Sequence, residues 1–292
     1  MTSTEVFVAH RNLLFTVAYE MLGSAADAED VLQESWLRWN KVDLDQVEEH
    51  RAYLVRIVTR QSLNRLRALK QRKESYVGQW LPEPLLTAPD VADDVELADS
   101  VSMALMVVLE TLSPTERAVF VLREAFGLGY DEIAHSVEKS PAAVRQIAHR
   151  ARAHVDARRP RAAASASETR AALDSFRTAV ESADLQGLLD VLAPGVAILG
   201  DGGGVKQAAP RPIIGADKVT RFFLGGMAKF DITLTTEPIV INGNPALACY
   251  VNGEFDGVLA ARVEDGLITE LYYVRNPHKL TRVDAATELT LH

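Results

Sequence analysis

One cysteine, Cys249, stands in 292 residues, which leaves no internal disulfide framework and no multi-cysteine zinc site. Long apolar runs are missing too: none approaches the roughly 20 residues that a membrane-spanning helix needs. Met1–His10 has no basic stretch followed by an apolar one, so no secretory signal is expected. The seven histidines are scattered without the spacing of a zinc site, and neither a metal nor any other cofactor is implied. Positive charge is absent from one whole stretch, Glu74 to Glu116, which holds nine acidic residues and no Lys or Arg. No repeat is visible. These absences fit a cytoplasmic protein without a membrane partner.

What is present is ordinary globular composition, 48% hydrophobic and 24% charged, in a length suited to two or three domains. The net charge of −9 argues against a nucleic-acid partner until its distribution is read. Arg51 to Lys73 carries eight basic residues and no acidic one, and Ser140 to Arg161 carries six Arg against one Asp. Two basic patches therefore flank an acidic strip, and phosphate responds to the local charge rather than to the mean.

Residues 5–72 carry helical periodicity. Gly23 interrupts it, Ser24 or Asp27 can cap the next helix to Trp39, and Asp43–His50 reads as a loop. A long helix from Arg51 to Arg72 turns Leu54, Ile57, Val58, Leu66 and Leu69 inward, while Arg56, Arg60, Asn64 and Arg67 share another face. Trp80-Leu-Pro-Glu-Pro84 must be extended, because each proline pushes its predecessor out of the α region. Pro89 and an acidic cluster follow. Ser113-Pro-Thr-Glu116 is a helix start with N-cap, N1 proline and capping box. Helices are expected at Thr115–Phe126, Tyr130–Val137 and Pro141–Ala157.

Beyond a small-residue hinge the texture becomes α+β. Helices are expected at Glu168–Leu192 and Ala216–Lys229. Strands are expected at Val196–Leu199, Ile232–Thr236, Ile239–Ile241, Ala246–Val251, Gly257–Val263 and Ile268–Val274. Asp201-Gly-Gly-Gly204 reads as a turn, and Asn242-Gly243 and Asp265-Gly266 as hairpin turns.

Residues 130–157 have the spacing of a helix-turn-helix. Ile133, Ala134, Val137, Val144, Ile147, Ala148, Ala151 and Val155 line the buried faces. Arg145, Gln146, His149, Arg150 and Arg152 remain outside, where arginine can read guanine, glutamine adenine, and other basic groups phosphate. On spacing alone an ordinary antiparallel helix pair with a solvated basic face competes evenly. A second basic helix in the same chain tips the balance.

Asp27-Ala-Glu-Asp30-Val-Leu-Gln33-Glu34-Ser-Trp36-Leu-Arg-Trp39, with Arg51-Ala-Tyr-Leu-Val-Arg56 and Asn64-Arg-Leu-Arg67, closely resembles region two of bacterial extracytoplasmic-function sigma factors. Leu112-Ser-Pro-Thr-Glu-Arg117, Tyr130-Asp-Glu-Ile-Ala134 and Ala143-Val-Arg-Gln-Ile-Ala-His-Arg150-Ala-Arg152 resemble region four. Trp80-Leu81-Pro82-Glu83-Pro84, Asp201-Gly202-Gly203-Gly204 and Asn276-Pro277-His-Lys279-Leu280 narrow the likeness to the subfamily with a fused SnoaL-like C-terminal domain. The implied fold is multidomain: two all-α sigma domains, a region-two bundle and a region-four helix-turn-helix, plus an α+β cone-shaped SnoaL-like domain. The boundaries expected are 1–73 for region two, 74–100 for an acidic linker, 101–158 for region four, 159–167 for a hinge and 168–292 for a regulatory domain.

The resemblance implies an RNA polymerase sigma factor that binds core polymerase, through its β′ and β subunits, and promoter DNA. Asp30, Gln33 and Glu34 match the positions that meet the β′ coiled coil, an acidic helix on a basic partner. Arg56, Arg60, Asn64 and Arg67 would serve the melted −10 element, with base capture near Asn40–His50 and stacking on an aromatic such as Tyr53. Ser140, Arg145, Gln146, His149, Arg150 and Arg152 would serve the −35 element. A spacer of about 17 base pairs is roughly 58 Å, and a linker from 74 to 100 spans roughly 90 Å extended, so it reaches. Trp80–Pro84, Asp201–Gly204, Asn276, Pro277 and Lys279 would form a regulatory contact in cis, so no separate anti-sigma factor is implied.

A second reading stays open. SnoaL-like relatives include isomerases and cyclases with acid–base pairs, and this domain offers Asp201, Asp231, Tyr250, Glu254, Asp256, Tyr272 and Tyr273. No pair stands at diagnostic spacing, and the glycine run lacks the ending of a phosphate loop. Cys249, Phe222, Phe223 and Met227 read as core.

Overall fold

The computed structural model describes residues 2–74, 76–88, 95–158, 164–283 and 285–291. Pro89 with Asp90, Asp93 and Asp94 of the acidic cluster, and residues 159–163 of the expected hinge, lie outside these ranges. The chain divides into two compact units. One holds Met1–Ser75, Leu105–Arg159 and Glu288–His292, and the other holds Tyr76–Ala104 and Pro160–Thr287. Both helical regions therefore belong to one unit, and the linker after Ser75 belongs with the C-terminal domain.

The first unit opens with α1 (Ser3–Ala9), α2 (Arg11–Leu22), α3 (Ala25–Trp39) and α4 (His50–Glu74). Gly23 ends α2 in the left-handed conformation at φ +70°, and the Ser24 hydroxyl accepts the Asp27 N–H to start α3. Leu44–Gln46 forms a single 3-10 turn in the expected loop. Leu54, Val58, Leu66 and Leu69 are buried on α4 as expected, whereas Ile57 is half-buried and Val55 and Leu63 lie inside. The α4 helix packs on more than one partner, α2, α3 and α8 among them, so its buried arc is wider than a single stripe.

The later helices of this unit are α6 (Met103–Leu109), α7 (Pro114–Glu124), α8 (Tyr130–Val137) and α9 (Pro141–Asp156), after α5 (Val95–Ser100) in the linker. Ser113 and Glu116 close the capping box at the start of α7. Glu138 turns the chain at φ +56°, and Ser140 caps α9. Arg117 of α7 is almost wholly buried: its Nε donates to the Glu20 carbonyl of α2 at 2.9 Å, and its Nη1 pairs with Glu110 at 2.7 Å. The chain end returns to α2, where Asn12 donates to Glu288 at 2.8 Å and the Thr290 N–H donates to Thr16 at 3.1 Å.

In the second unit α10 (Ala166–Glu181) and α11 (Leu185–Val191) replace the one long helix expected, because Ala183 is left-handed at φ +54° and Asp184 caps a new start. The sheet runs β2-β1-β6-β5-β4-β3. Its strands are β1 (Leu192–Asp201), β2 (Ile213–Ile214), β3 (Leu234–Ile241), β4 (Asn244–Val251), β5 (Glu254–Glu264) and β6 (Leu267–Val274). All neighbours are antiparallel except β1 and β6. The two short strands expected around Pro238 are one strand, β3, at the sheet edge, where a missing N–H costs no ladder bond. The expected helix at Ala216–Lys229 is α12 (Ala216–Thr220), a π turn (Arg221–Gly225) and α13 (Gly226–Phe230). Phe176, Phe223, Leu247, Cys249, Leu259, Leu271 and Tyr273 fill the space between sheet and helices, with Phe222 and Met227 half-buried against them.

Candidate linker clasp and nucleic-acid interface

Parallel pairing of β1 with β6 ends with Asp201 opposite Val274, so the glycine turn and the terminal motif leave the sheet side by side. The Asp201 carbonyl accepts the N–H groups of both Arg275 and Asn276, at 2.7 and 2.9 Å. The turn itself demands glycine. A Cβ on Gly202 would lie 1.9 Å from the Lys206 carbonyl oxygen, and one on Gly203, at φ +62°, would lie 2.3 Å from the Asn276 amide.

The linker is gripped at this junction. The Asp201 carboxylate, fully buried, accepts from Lys279 Nζ at 2.7 Å, the Leu81 N–H at 2.9 Å, the Tyr76 hydroxyl at 2.5 Å and the Gly203 N–H at 3.0 Å. Lys279 also donates to the Leu81 carbonyl, and its ammonium lies 3.4 Å from the centroid of the Trp80 ring. Asn276 donates to the Tyr76 hydroxyl at 2.7 Å and, through its side-chain oxygen, holds the His278 N–H. Leu81, Pro82, Glu83, Pro84 and Leu85 are buried, whereas Pro277 and His278 are exposed. Burial and the bond to Asp201 push the Tyr76 phenol above its usual range. The structure thus brings Trp80, Leu81, Asp201, Gly203, Asn276 and Lys279 into one cluster. It adds Tyr76, which stands outside the Trp80–Pro84 motif and has no neighbour in sequence to flag it.

A second network braces the first. Asp256 of β5 accepts from Tyr273 at 2.6 Å, from Arg275 at 2.6 and 2.9 Å and from Lys206 at 3.0 Å. Arg275 continues to the Gln207 carbonyl. Burial raises the Asp256 carboxyl, but the bonds from Arg275 and Tyr273 and the nearby positive charge outweigh it and hold the group at about 2. Cys249, buried beside Tyr273, has its thiol pushed up to about 12, chiefly by burial. Of the other groups offered for acid–base work, Tyr250 donates to Glu237, Tyr272 donates to Glu270, Asp231 caps α13 and Glu254 is exposed at a hairpin.

On α3, Asp30, Gln33 and Glu34 form one exposed acidic face, and Asp30 pairs with Arg65 at 3.0 Å. On α4, Arg60, Asn64 and Arg67 line a cleft of about 220 Å³ together with Arg38 and, from the end of α8, Ser136 and Glu138. Arg60 donates to the His135 carbonyl at 3.0 Å and lies 3.4 Å from Glu138. Arg56 is turned away from that cleft and sits 4.5 Å over the Tyr53 ring, whose centroid is 5.7 Å from that of Trp39.

On α9, Val144, Ile147, Ala148, Ala151 and Val155 are buried, and Arg145, Gln146, His149, Arg150 and Arg152 are exposed. Arg152 is tied to Glu124 and Arg150 lies 4.0 Å from Glu116, while Arg145 rests 5.8 Å from the Tyr130 ring. Hydrogen bonding to Glu124 raises the Arg152 pKa further. Among the described residues no helix is long and apolar enough to cross a membrane, and no group of three or more His, Cys, Asp or Glu side chains is placed to hold a metal ion.

Two families match this chain: Sigma-70 region 2 over residues 6–72 and Sigma-70, region 4 over residues 102–155. In that order they define a sigma factor of the sigma-70 type. The ECF RNA polymerase sigma factor SigJ of Mycobacterium tuberculosis is 36% identical over 290 residues, covering 94% of this chain and 92% of the relative. The probable ECF RNA polymerase sigma factor SigI of the same organism is 33% identical, covering 93% and 92%. The crystal structure of M. tuberculosis SigJ superposes with a TM-score of 0.77 at 33% identity, covering 96% of this chain and 98% of that one. The chain belongs to the extracytoplasmic-function RNA polymerase sigma factors. It is a transcription initiation factor rather than an enzyme, and its two helical sigma regions are followed by an α+β domain at the C-terminal side.

Proposed function

We propose that this sigma factor recruits core RNA polymerase through α3 and reads promoter DNA through α4 and α9, under control in cis by its C-terminal domain, in the cytoplasm. Asp30, Gln33 and Glu34 meet the β′ coiled coil. Arg56, Arg60, Asn64 and Arg67 serve the −10 element, and Arg145, Gln146 and His149 touch −35 bases. Ser140 and Arg150 serve the same element, and Arg152 and Arg158 mainly hold phosphate. A basic face on each of two helices, within a chain of net charge −9, supports a polyanion as partner.

One observation carries the control: the linker between the two sigma regions is held by a buried ion pair, Lys279–Asp201, that also encloses Leu81. Control through this clasp calls for no separate anti-sigma factor. The contact of Arg60 with the end of α8 supports a resting state, since α9 follows α8 directly and elements roughly 58 Å apart cannot be read from helices held this close. The reading is tested by core-polymerase capture and in vitro transcription with Asp30→Ala, Gln33→Ala and Glu34→Ala. These substitutions should weaken core binding and leave the thermal unfolding of the chain unchanged. Unchanged affinity for core would sink the α3 assignment.

A further inference from the structure

Three hairpin tips of the same sheet use the same chemistry: Asn242-Gly243, Asn252-Gly253 and Asp265-Gly266 all place both residues at positive φ. A tip of this kind needs only that backbone, which Gly-Gly or Asp-Gly also supplies. Asn252 and Asp265 are exposed, as tips normally are. Asn242 is wholly buried. Its side chain is spent on the linker, accepting the Leu85 N–H at 2.8 Å and donating to the Val101 carbonyl at 2.8 Å.

The neighbours of Asn242 do the same. The Asn242 N–H donates to the Leu85 carbonyl at 2.9 Å, and the Gly243 N–H donates to the Thr87 hydroxyl at 3.0 Å. The Thr87 N–H donates to the Val240 carbonyl at 3.0 Å, and Leu86 bridges Ile241, so the linker lies along the edge of β3 as a fragment of a further strand. Asn244 donates to the Ala98 carbonyl at 2.8 Å. Ala98 lies near the C-terminal end of α5 and Val101 just past it, where backbone carbonyls turn to groups outside the helix.

We propose that the Asn242–Asn244 tip is a second linker-binding site, which takes the region-four end of the linker as the Asp201–Lys279 cluster takes the region-two end. Its ligand is the extended stretch Leu85–Thr87 together with the C-terminal end of α5 at Ala98 and Val101. The two sites differ in chemistry. The first is ionic and encloses Tyr76–Leu81, just past the region-two match, which ends at residue 72. The second is neutral and ends at Val101, next to the region-four match, which begins at residue 102. Holding both ends fixes the linker's span. Releasing only the second end frees region four while region two's exit stays fixed. The binding claim rests on geometry alone, and its effect on transcription rests on the cis control proposed above.

The test uses the full-length chain with Asn242→Gly, which keeps the left-handed tip and deletes both side-chain bonds, and Asn242→Asp, which keeps the acceptor for Leu85 and deletes the donor to Val101. Native-state amide exchange at single residues is the first readout. Asn242→Gly should speed exchange at Leu85 by about tenfold, the scale of one lost hydrogen bond, and leave Leu81 unchanged. Asn242→Asp should leave Leu85 protected. Equal acceleration at Leu81 and Leu85, or none at Leu85, overturns a separate second site.

The second readout is in vitro transcription with core polymerase from promoters whose −10/−35 spacer is lengthened or shortened by a base pair. Asn242→Gly should lower the preference for the best spacer by about fivefold. Faster exchange at Leu85 with an unchanged spacer preference leaves the binding site standing and overturns its part in cis control.

Discussion

Lys279 places its ammonium 2.7 Å from the Asp201 carboxylate, and both side chains are shut away from solvent, at 9% and 0% exposure. A buried pair of this kind adds little net stability, but breaking it leaves a charge that water cannot reach. Lys279→Met should therefore cost about 3–5 kcal/mol in the unfolding of the C-terminal unit. The double variant Lys279→Met, Asp201→Asn should cost less than the sum of its parts, because the stranded charge is gone. Urea unfolding of the four proteins of that cycle measures the coupling, and strict additivity would contradict a coupled buried pair.

Asp256 makes a prediction in acid. Its carboxyl is held at about 2, below the ordinary 3.8. The folded value is depressed, so the stabilisation is fully present above about pH 4 and is lost as the pH falls toward 2. Its size is on the order of 2 kcal/mol. Asp256→Asn, which cannot titrate, should lose less stability than the parent over that interval in urea titrations at stepped pH. Parallel loss in both proteins would show that Asp256 is not the group responsible.

How far these features were legible in the sequence follows from how local they are. The start of α7 is written in Ser113-Pro114-Thr115-Glu116, and the buried face of α9 in the spacing of Val144, Ile147, Ala151 and Val155. The motifs carried Asp201, Asn276 and Lys279 to one site, but not the reason they meet. That reason is the parallel pairing of β1 with β6, a long-range property that no local pattern encodes. Tyr76 was invisible, and Asp256 was read only as an acid–base candidate, for the same cause: each meets its partners only through the topology. Asn242-Gly243 was legible as a turn because its backbone need is local. Its linker contacts were not, because a side chain's partner across the fold leaves no periodicity.

Recognition by α9 separates two kinds of arginine. Arg145 is exposed on the second helix of the helix-turn-helix, while Arg152 is tied to Glu124. Arg145→Ala should cost about 1–3 kcal/mol on a preferred −35 element and flatten the ranking of altered elements. Arg152→Ala should weaken all sequences alike and reduce the salt dependence. Binding of the holoenzyme to a panel of −35 variants at two salt concentrations reads both effects, and an intact ranking with Arg145→Ala would mean that the register on DNA is different.

Two truncations decide what the C-terminal domain does for transcription, and opposite signs are expected of them. Removing residues from Asn276 onward deletes Asn276 and Lys279, so Tyr76 loses a donor, Leu81 loses the group on its carbonyl and Trp80 loses its cation. It also deletes Glu288 and Thr290, the tail residues bonded to Asn12 and Thr16 of α2. The second anchor at Asn242 keeps its side-chain bonds and loses only the Thr287 N–H on the Leu86 carbonyl, so the linker is loosened mainly at one end. Activity at a target promoter should rise. Removing everything from Glu168 onward takes both anchors and the sheet edge, and leaves Leu81 and Leu85, each fully buried in the intact chain, without cover. Exposed leucines in a freed linker favour non-specific association, and region four loses its fixed departure point. Activity should fall below that of the full-length protein. Promoter reporters and in vitro transcription with core polymerase, run on the three chains at matched concentration, read the order directly: short truncation highest, full length between, long truncation lowest. Equal activity of all three would mean that the domain has no part in initiation, and the clasp would then serve stability alone.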